Sequence, residues 1–131
     1  MLNMESLILE YTNKVDVVCQ LILKALNLNS KSELLRYKEE HGTSKFIIEG
    51  ANIFTFHGRG CRFSNEEIDI DWDFGICDFW CGLDPWKLYY FIEKNKSVKE
   101  FDNGYQIKEI FDDMVACGKM IVIYDLYYLT K

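Results

Sequence analysis

The residues of this chain best suited to chemistry fall in two groups, both between positions 57 and 84. The first is acidic. Glu66, Glu67, Asp69, Asp71, Asp73, Asp78 and Asp84 follow one another with no lysine or arginine among them. Inside that tract Ile68-Asp69-Ile70-Asp71-Trp72-Asp73-Phe74 alternates apolar and acidic residues without a fault. Strand side chains alternate between faces, so Ile68, Ile70, Trp72 and Phe74 are expected against a core, and Asp69, Asp71 and Asp73 together on the other face. The repulsion among them is on the order of tenths of a kcal/mol per near pair. One reading is a solvated sheet face. Another is an anionic surface for a cationic partner, which would turn repulsion into attraction and fast association, with Trp80 as a neighbouring anchor. A third is a Mg²⁺ or Ca²⁺ site, although the glycine and closing glutamate of an EF-hand loop are missing.

The second group is His57, Cys61, Cys77 and Cys81. One histidine and three thiolates are a zinc set. The spacing, His-x3-Cys and then Cys-x3-Cys, is looser than a Cys-x2-Cys knuckle. His57 and Cys61 alone could serve as base and nucleophile if Gly58-Arg59-Gly60 bulges to bring them together. No local nucleophile signature surrounds Cys61. The plain reading is three small buried thiols and a histidine at a bulge or close backbone approach. The glycine pair lacks the Lys-Ser/Thr of a phosphate loop.

The elements that must position these residues are legible from periodicity. Ile8, Tyr11, Val15, Val18, Ile22 and Ala25 recur at helical spacing and predict a helix over 3–27. Ser30 with Glu33 is a capping-box pattern that opens a second helix over about 31–40, closed at His41-Gly42. Short β-type runs follow at 46–48, 53–56 and 61–63, then the acidic strand to Phe74. Asp84-Pro85 suits the N-cap and first position of a helix over 85–95, whose Trp86, Leu88, Tyr89, Tyr90, Phe91 and Ile92 wrap most of its circumference. Ile107, Ile110, Phe111, Met114 and Val115 predict another helix, and 120–124 and 126–129 read as one or two strands. The expected architecture is α+β: a mainly antiparallel sheet, with a central meander plus a C-terminal strand, packed by about four helices.

The chain has 131 residues, one proline and no linker-like stretch, which predicts a single domain over 1–131. A net charge of −6 argues against nucleic acid and anionic membranes as partners and favours a basic one. No run reaches the roughly 18 apolar residues of a membrane-spanning helix. The opening Met1-Leu2-Asn3-Met4-Glu5-Ser6 lacks the features of a signal peptide, so the cytoplasm is the expected compartment. There the five cysteines are expected as thiols.

Three pieces taken together resemble a known family. His57-Gly58-Arg59-Gly60-Cys61-Arg62-Phe63, the strand Ile68 to Gly75, and Asp84-Pro85-Trp86-Lys87-Leu88-Tyr89 are similar to the His-Gly-x-Gly-Cys, Asp-rich and Asp-x-Trp-x-Leu pieces of the DUF6896 family. Leu126-Tyr127-Tyr128-Leu129 resembles that family's C-terminal end. The resemblance covers the central and C-terminal two thirds of the chain. It brings no established activity with it, and it implies that His57, Cys61 and Asp73 belong to the shared pattern while Cys77 and Cys81 do not. In size and acidity the family is similar to immunity proteins.

The sequence thus leads to an expected immunity-type protein that binds and neutralises a cognate toxin with a basic surface. The contact would come from Glu66, Glu67, Asp69, Asp71, Asp73, Asp78 and Trp80, with Trp86 as a further anchor, and with no cofactor and no catalytic residue. The alternative is a small zinc-binding or Cys/His-based enzyme centred on His57 and Cys61, with Cys77 and Cys81 as further ligands. A homodimer through the aromatic helix is the third reading.

Overall fold

The computed structural model describes residues 3–58, 60–74, 81–96 and 99–130, Cys81 through its backbone alone. Helix α1 spans Met4–Ala25. The Asn3 side chain accepts from the Ser6 N–H, and Glu5 and Lys24 complement the helix dipole at its two ends. Its buried face, Ile8, Tyr11, Val15, Val18 and Ile22, is the stripe that the spacing predicts, widened by Leu7, Cys19 and Leu23. Each such side chain stabilises the fold by about 1.5–3 kcal/mol. Helix α2 spans Lys31–His41. The Ser30 hydroxyl accepts from Glu33 N, as the capping box requires, but the Glu33 carboxylate turns back to the N–H of Asn29 rather than Ser30.

Five strands follow: β1 Lys45–Ile48, β2 Asn52–His57, β3 Gly60–Ser64, β4 Asp69–Phe74 and β5 Cys81–Gly82. They form one antiparallel sheet in sequential order. A bulge was one expectation at Gly58-Arg59-Gly60; Arg59 lies outside the described residues, but His57 at the end of β2 pairs directly with Gly60 at the start of β3, and Gly58 takes φ +30°. The expected close approach is real and belongs to Gly60. A Cβ there would lie 1.8 Å from the Trp72 carbonyl oxygen and 2.8 Å from the Asp73 Cα.

Helix α3 spans Pro85–Asn95, with Asp84 as its cap accepting from Trp86 N. Helix α4 spans Gly104–Ala116 and is capped by Asn103. The chain then makes a second sheet, the hairpin β6 Met120–Ile123 and β7 Leu126–Leu129. Tyr124 and Asp125 both take positive φ, at 50° and 68°, as a type I′ turn demands. The two sheets are spliced at one point: Leu83 N–H donates to Tyr127 O at 3.1 Å, and Tyr127 N–H donates to Leu83 O at 3.0 Å. The fold is α+β with antiparallel sheets, as the element order predicts.

Register divides the main sheet into two faces. Phe54, Phe56, Cys61, Phe63, Ile70 and Trp72 share one face and join buried residues of α1, α3 and α4 in one apolar cluster. Tyr37 of α2 packs on Phe46 and Phe56. Ile68 and Phe74, expected in the core, are only partly buried against it. The β4 edge beyond β5 is plugged by side chains. Asn95 accepts from Asp69 N at 3.1 Å and donates to Asp69 O at 2.9 Å. The Tyr11 hydroxyl donates to Asp71 O at 2.5 Å. Those bonds replace a missing neighbour strand and deny the edge to another chain. Among the described residues no helix is long and apolar enough to cross a membrane.

Candidate functional site

Alternation along β4 places Asp69, Asp71 and Asp73 on the face opposite the core, as predicted. The expectation that they form an open anionic patch is not met, because cations from outside the tract reach every one of them. Arg62, on β3, donates to Asp69 through both Nε (2.9 Å) and Nη2 (2.5 Å), and Lys94 of α3 lies 3.2 Å away. The Arg62 guanidinium holds the Asp69 carboxyl below the ordinary carboxylate range; burial opposes that pull and Lys94 adds to it. Asp71 meets the His57 ring, Nε2 to Oδ1 at 2.6 Å, and Lys87 at 3.4 Å. Asp73 is 3% exposed, and its Oδ1 accepts from Lys87 Nζ at 2.6 Å. Three carboxylates thus stand against three cations, Arg62, Lys87 and Lys94.

The geometry explains why α3 must lie where it does. Lys87 and Lys94 are seven residues apart, two helical turns, and project along one stripe onto the aspartate face. Asp84 and Pro85 set the helix start, and Asn95 locks its end to β4. Gly60 leaves room on the His57–Gly60–Asp73 rung, the place a side chain would otherwise fill. The three sequence pieces that carry the family resemblance therefore meet in one network.

The sequence model of the family described as Domain of unknown function (DUF6896) matches residues 4–129. The chain belongs to this family. No curated protein and no solved structure shows a match to this DUF6896 member. What the site can do is therefore argued from its own side chains.

The pairing of His57 with Cys61 is overturned by register. Cys61 stands opposite Phe56 and Trp72 on the buried face, fully shielded, while His57 lies on the aspartate face and is a third exposed. Side chains on opposite faces of a sheet cannot reach one reacting atom or one zinc ion. Among the described residues no group of three or more His, Cys, Asp or Glu side chains is placed to hold a metal. Cys77, Asp78 and Trp80 lie outside the described residues, as does the Cys81 side chain. The hollow at the ladder, between Arg62, Asp71, Lys87, Tyr90 and Lys94, measures about 100 Å³. That is well short of the roughly 300 Å³ at which small-molecule sites begin. A larger groove of about 590 Å³ runs beside α1, floored by Val18, Leu21, Phe63, Ile68 and Phe91, and shares no residue with the His57–Asp71 pair.

Of the remaining predicted contact residues, Glu66 and Glu67 are exposed in the β3–β4 turn. Beside the ladder lies a feature that composition alone undervalues. Trp86 packs edge-on to Tyr105 of α4 at 5.2 Å and tilts against Tyr90 at 6.1 Å. Tyr90 and Tyr105 are exposed, at 47% and 64%. Their scaffold is tight, since a Cβ on Gly104 would fall 2.4 Å from the Trp86 ring. The signal for the cations missed by the sequence reading was present in the seven-residue spacing of Lys87 and Lys94 and in Arg62 one strand upstream.

Proposed function

We propose that this chain is a non-catalytic protein-binding module of the immunity kind, which binds a cognate protein toxin in the cytoplasm and neutralises it by covering its working surface. The observation that supports a binding role is the aromatic cluster at the α3–α4 contact, in which a partly buried Trp86 carries the exposed rings of Tyr90 and Tyr105. Tryptophan and tyrosine are the types that dominate contact energies, and pre-ordered rings lose little entropy on docking. Tyr90 also lines the edge of the charged ladder. A partner would thus meet aromatic anchors flanked by charges whose geometry is already set. The small size and net charge of −6 support a basic toxin as the partner class.

The docking mode changes from the one suggested by the sequence. A ladder neutralised from within gives little net attraction, so the contact rests on rings, and association weakens only modestly with salt. The test is co-expression with the protein encoded beside this chain. Purified complex should form at low and at moderate salt, and Tyr90→Ala with Tyr105→Ala should weaken it by at least about 1 kcal/mol per residue. Failure of every neighbouring gene product to bind at low salt, or to lose toxicity on co-expression, refutes the reading.

A further inference from the structure

The groove of about 590 Å³ beside α1 takes no part in the binding surface described above. It lies between α1, the β3–β4 turn and the last turns of α3, and none of its residues belongs to the Trp86–Tyr90–Tyr105 cluster. Its volume falls within the range of small-molecule sites, about 300–1,000 Å³. The floor is apolar. Val18, Phe63 and Phe91 are core residues that border the groove, and Leu21 and Ile68 are only partly covered. Val17, at the lip, is 69% exposed. Hydrocarbon laid on such a floor gains by displacing water.

The charges around that floor say what else an occupant carries. Glu10 and Lys14 line one end and stand one helical turn apart, the spacing at which the two would ordinarily pair. Lys96, at the end of α3, takes Glu10 instead, at 2.5 Å. Lys14 is left with no ion-pair partner among the described residues, although it borders an apolar surface. Lys24 also lines the groove, but it sits in the last turn of α1, where the carbonyl end of the helix already draws a cation. Glu67, in the β3–β4 turn, disfavours an anion at that wall.

We infer that this groove binds an amphipathic carboxylate, a fatty-acid-like molecule whose head pairs with Lys14 and whose alkyl chain runs along Val17, Val18 and Leu21. From Lys14 to Lys24 the helix rises about 15 Å, room for a chain of medium length. A cationic head would be repelled by Lys14, and an uncharged one would leave it unused.

Calorimetric titration of the full chain with decanoate and with decyltrimethylammonium tests this, because the two share a chain length and differ in the sign of the head. One decanoate should bind per chain with Kd below about 200 μM, at least tenfold tighter than the cation. Methyl signals of Leu21 and Ile68 should shift in NMR spectra as it binds. Lys14→Met should weaken decanoate about fivefold, and Lys24→Met less than about twofold. Lys96→Met lies outside the groove, yet frees Glu10 to claim Lys14, and should weaken decanoate about twofold. Leu21→Gln should weaken both probes at least fivefold. If that variant fails to fold, Val17→Gln, at an exposed position, should weaken both about threefold and decides the point.

No saturable binding of decanoate up to about 1 mM overturns the inference. So do equal affinities for the two probes, a Lys14→Met variant that binds as the wild type does, or a groove that takes only an amphipathic peptide helix. None of these results touches the toxin-binding reading, which rests on a separate surface.

Discussion

Replacing Lys87 by methionine isolates what the charged ladder contributes to the fold. Methionine keeps most of the aliphatic length of lysine and removes the ammonium that sits 2.6 Å from the buried Asp73 carboxylate. Removing one partner of a buried pair costs about 3–5 kcal/mol. The Lys87 side chain keeps 18% of its exposure, so the lower end, about 3 kcal/mol, is expected. At about 2.1 cal/mol/K of unfolding entropy per residue, a chain of 131 residues should then melt about 10 °C lower. Asp73→Asn should cost less, because the freed Lys87 still has Asp71 at 3.4 Å and some solvent. The double variant should recover part of the loss, giving a coupling above about 1 kcal/mol. Thermal and urea melts of the four proteins measure all of this. A Lys87→Met loss under about 0.5 kcal/mol, or simple additivity, would refute the account of the ladder as a structural ion network.

Four further outcomes follow from separate features. Gly60→Ala should destabilise by about 3 kcal/mol or fail to fold, since its Cβ meets the β4 backbone itself, as solubility and melts will show. Asn95→Ala should cost about 1–2 kcal/mol and expose the Asp69 amide to faster hydrogen exchange. Asp69 is held below the ordinary carboxylate range, so its contribution is present above about pH 4 and fades as pH falls through its folded value. Arg62→Gln should raise the Asp69 midpoint in a carboxyl NMR titration and shrink that acid limb; an unmoved midpoint contradicts the assignment. Tyr127 titrates above the ordinary tyrosine value, because burial and then the Asp112 carboxylate, which accepts from its hydroxyl at 2.5 Å, disfavour the phenolate. Asp112→Asn should lower that midpoint in an ultraviolet titration.

Much of the fold was legible because its signals are local. The α1 stripe, the Ser30 and Asp84 caps and the alternation of β4 each follow from spacing within a few residues, and α3 begins and ends where Asp84-Pro85 and the loss of periodicity place it. The partition of Asp69, Asp71 and Asp73 onto one face was likewise readable. Their environment was not. It depends on which stripe of α3 turns toward β4, a tertiary choice set by Phe91 and Ile92 in the core and Asn95 at the edge. The His57–Cys61 question turned on one residue of register: with His57 opposite Gly60 and Cys61 opposite Phe56, the two side chains fall on opposite faces of the sheet. Asn95 gave no sign in the sequence of its role, since edge plugging leaves no periodic trace.

The plug on β4 also has a schedule. Asp69 and Asn95 are 26 positions apart, and synthesis at roughly 5–20 residues per second delivers the second about one to five seconds after the first. During that interval the Asp69 N–H and C=O of β4 are without their Asn95 partner, while Tyr11, made earlier, is already available to Asp71. Slow codons between those two positions would prolong the exposure without altering a single residue.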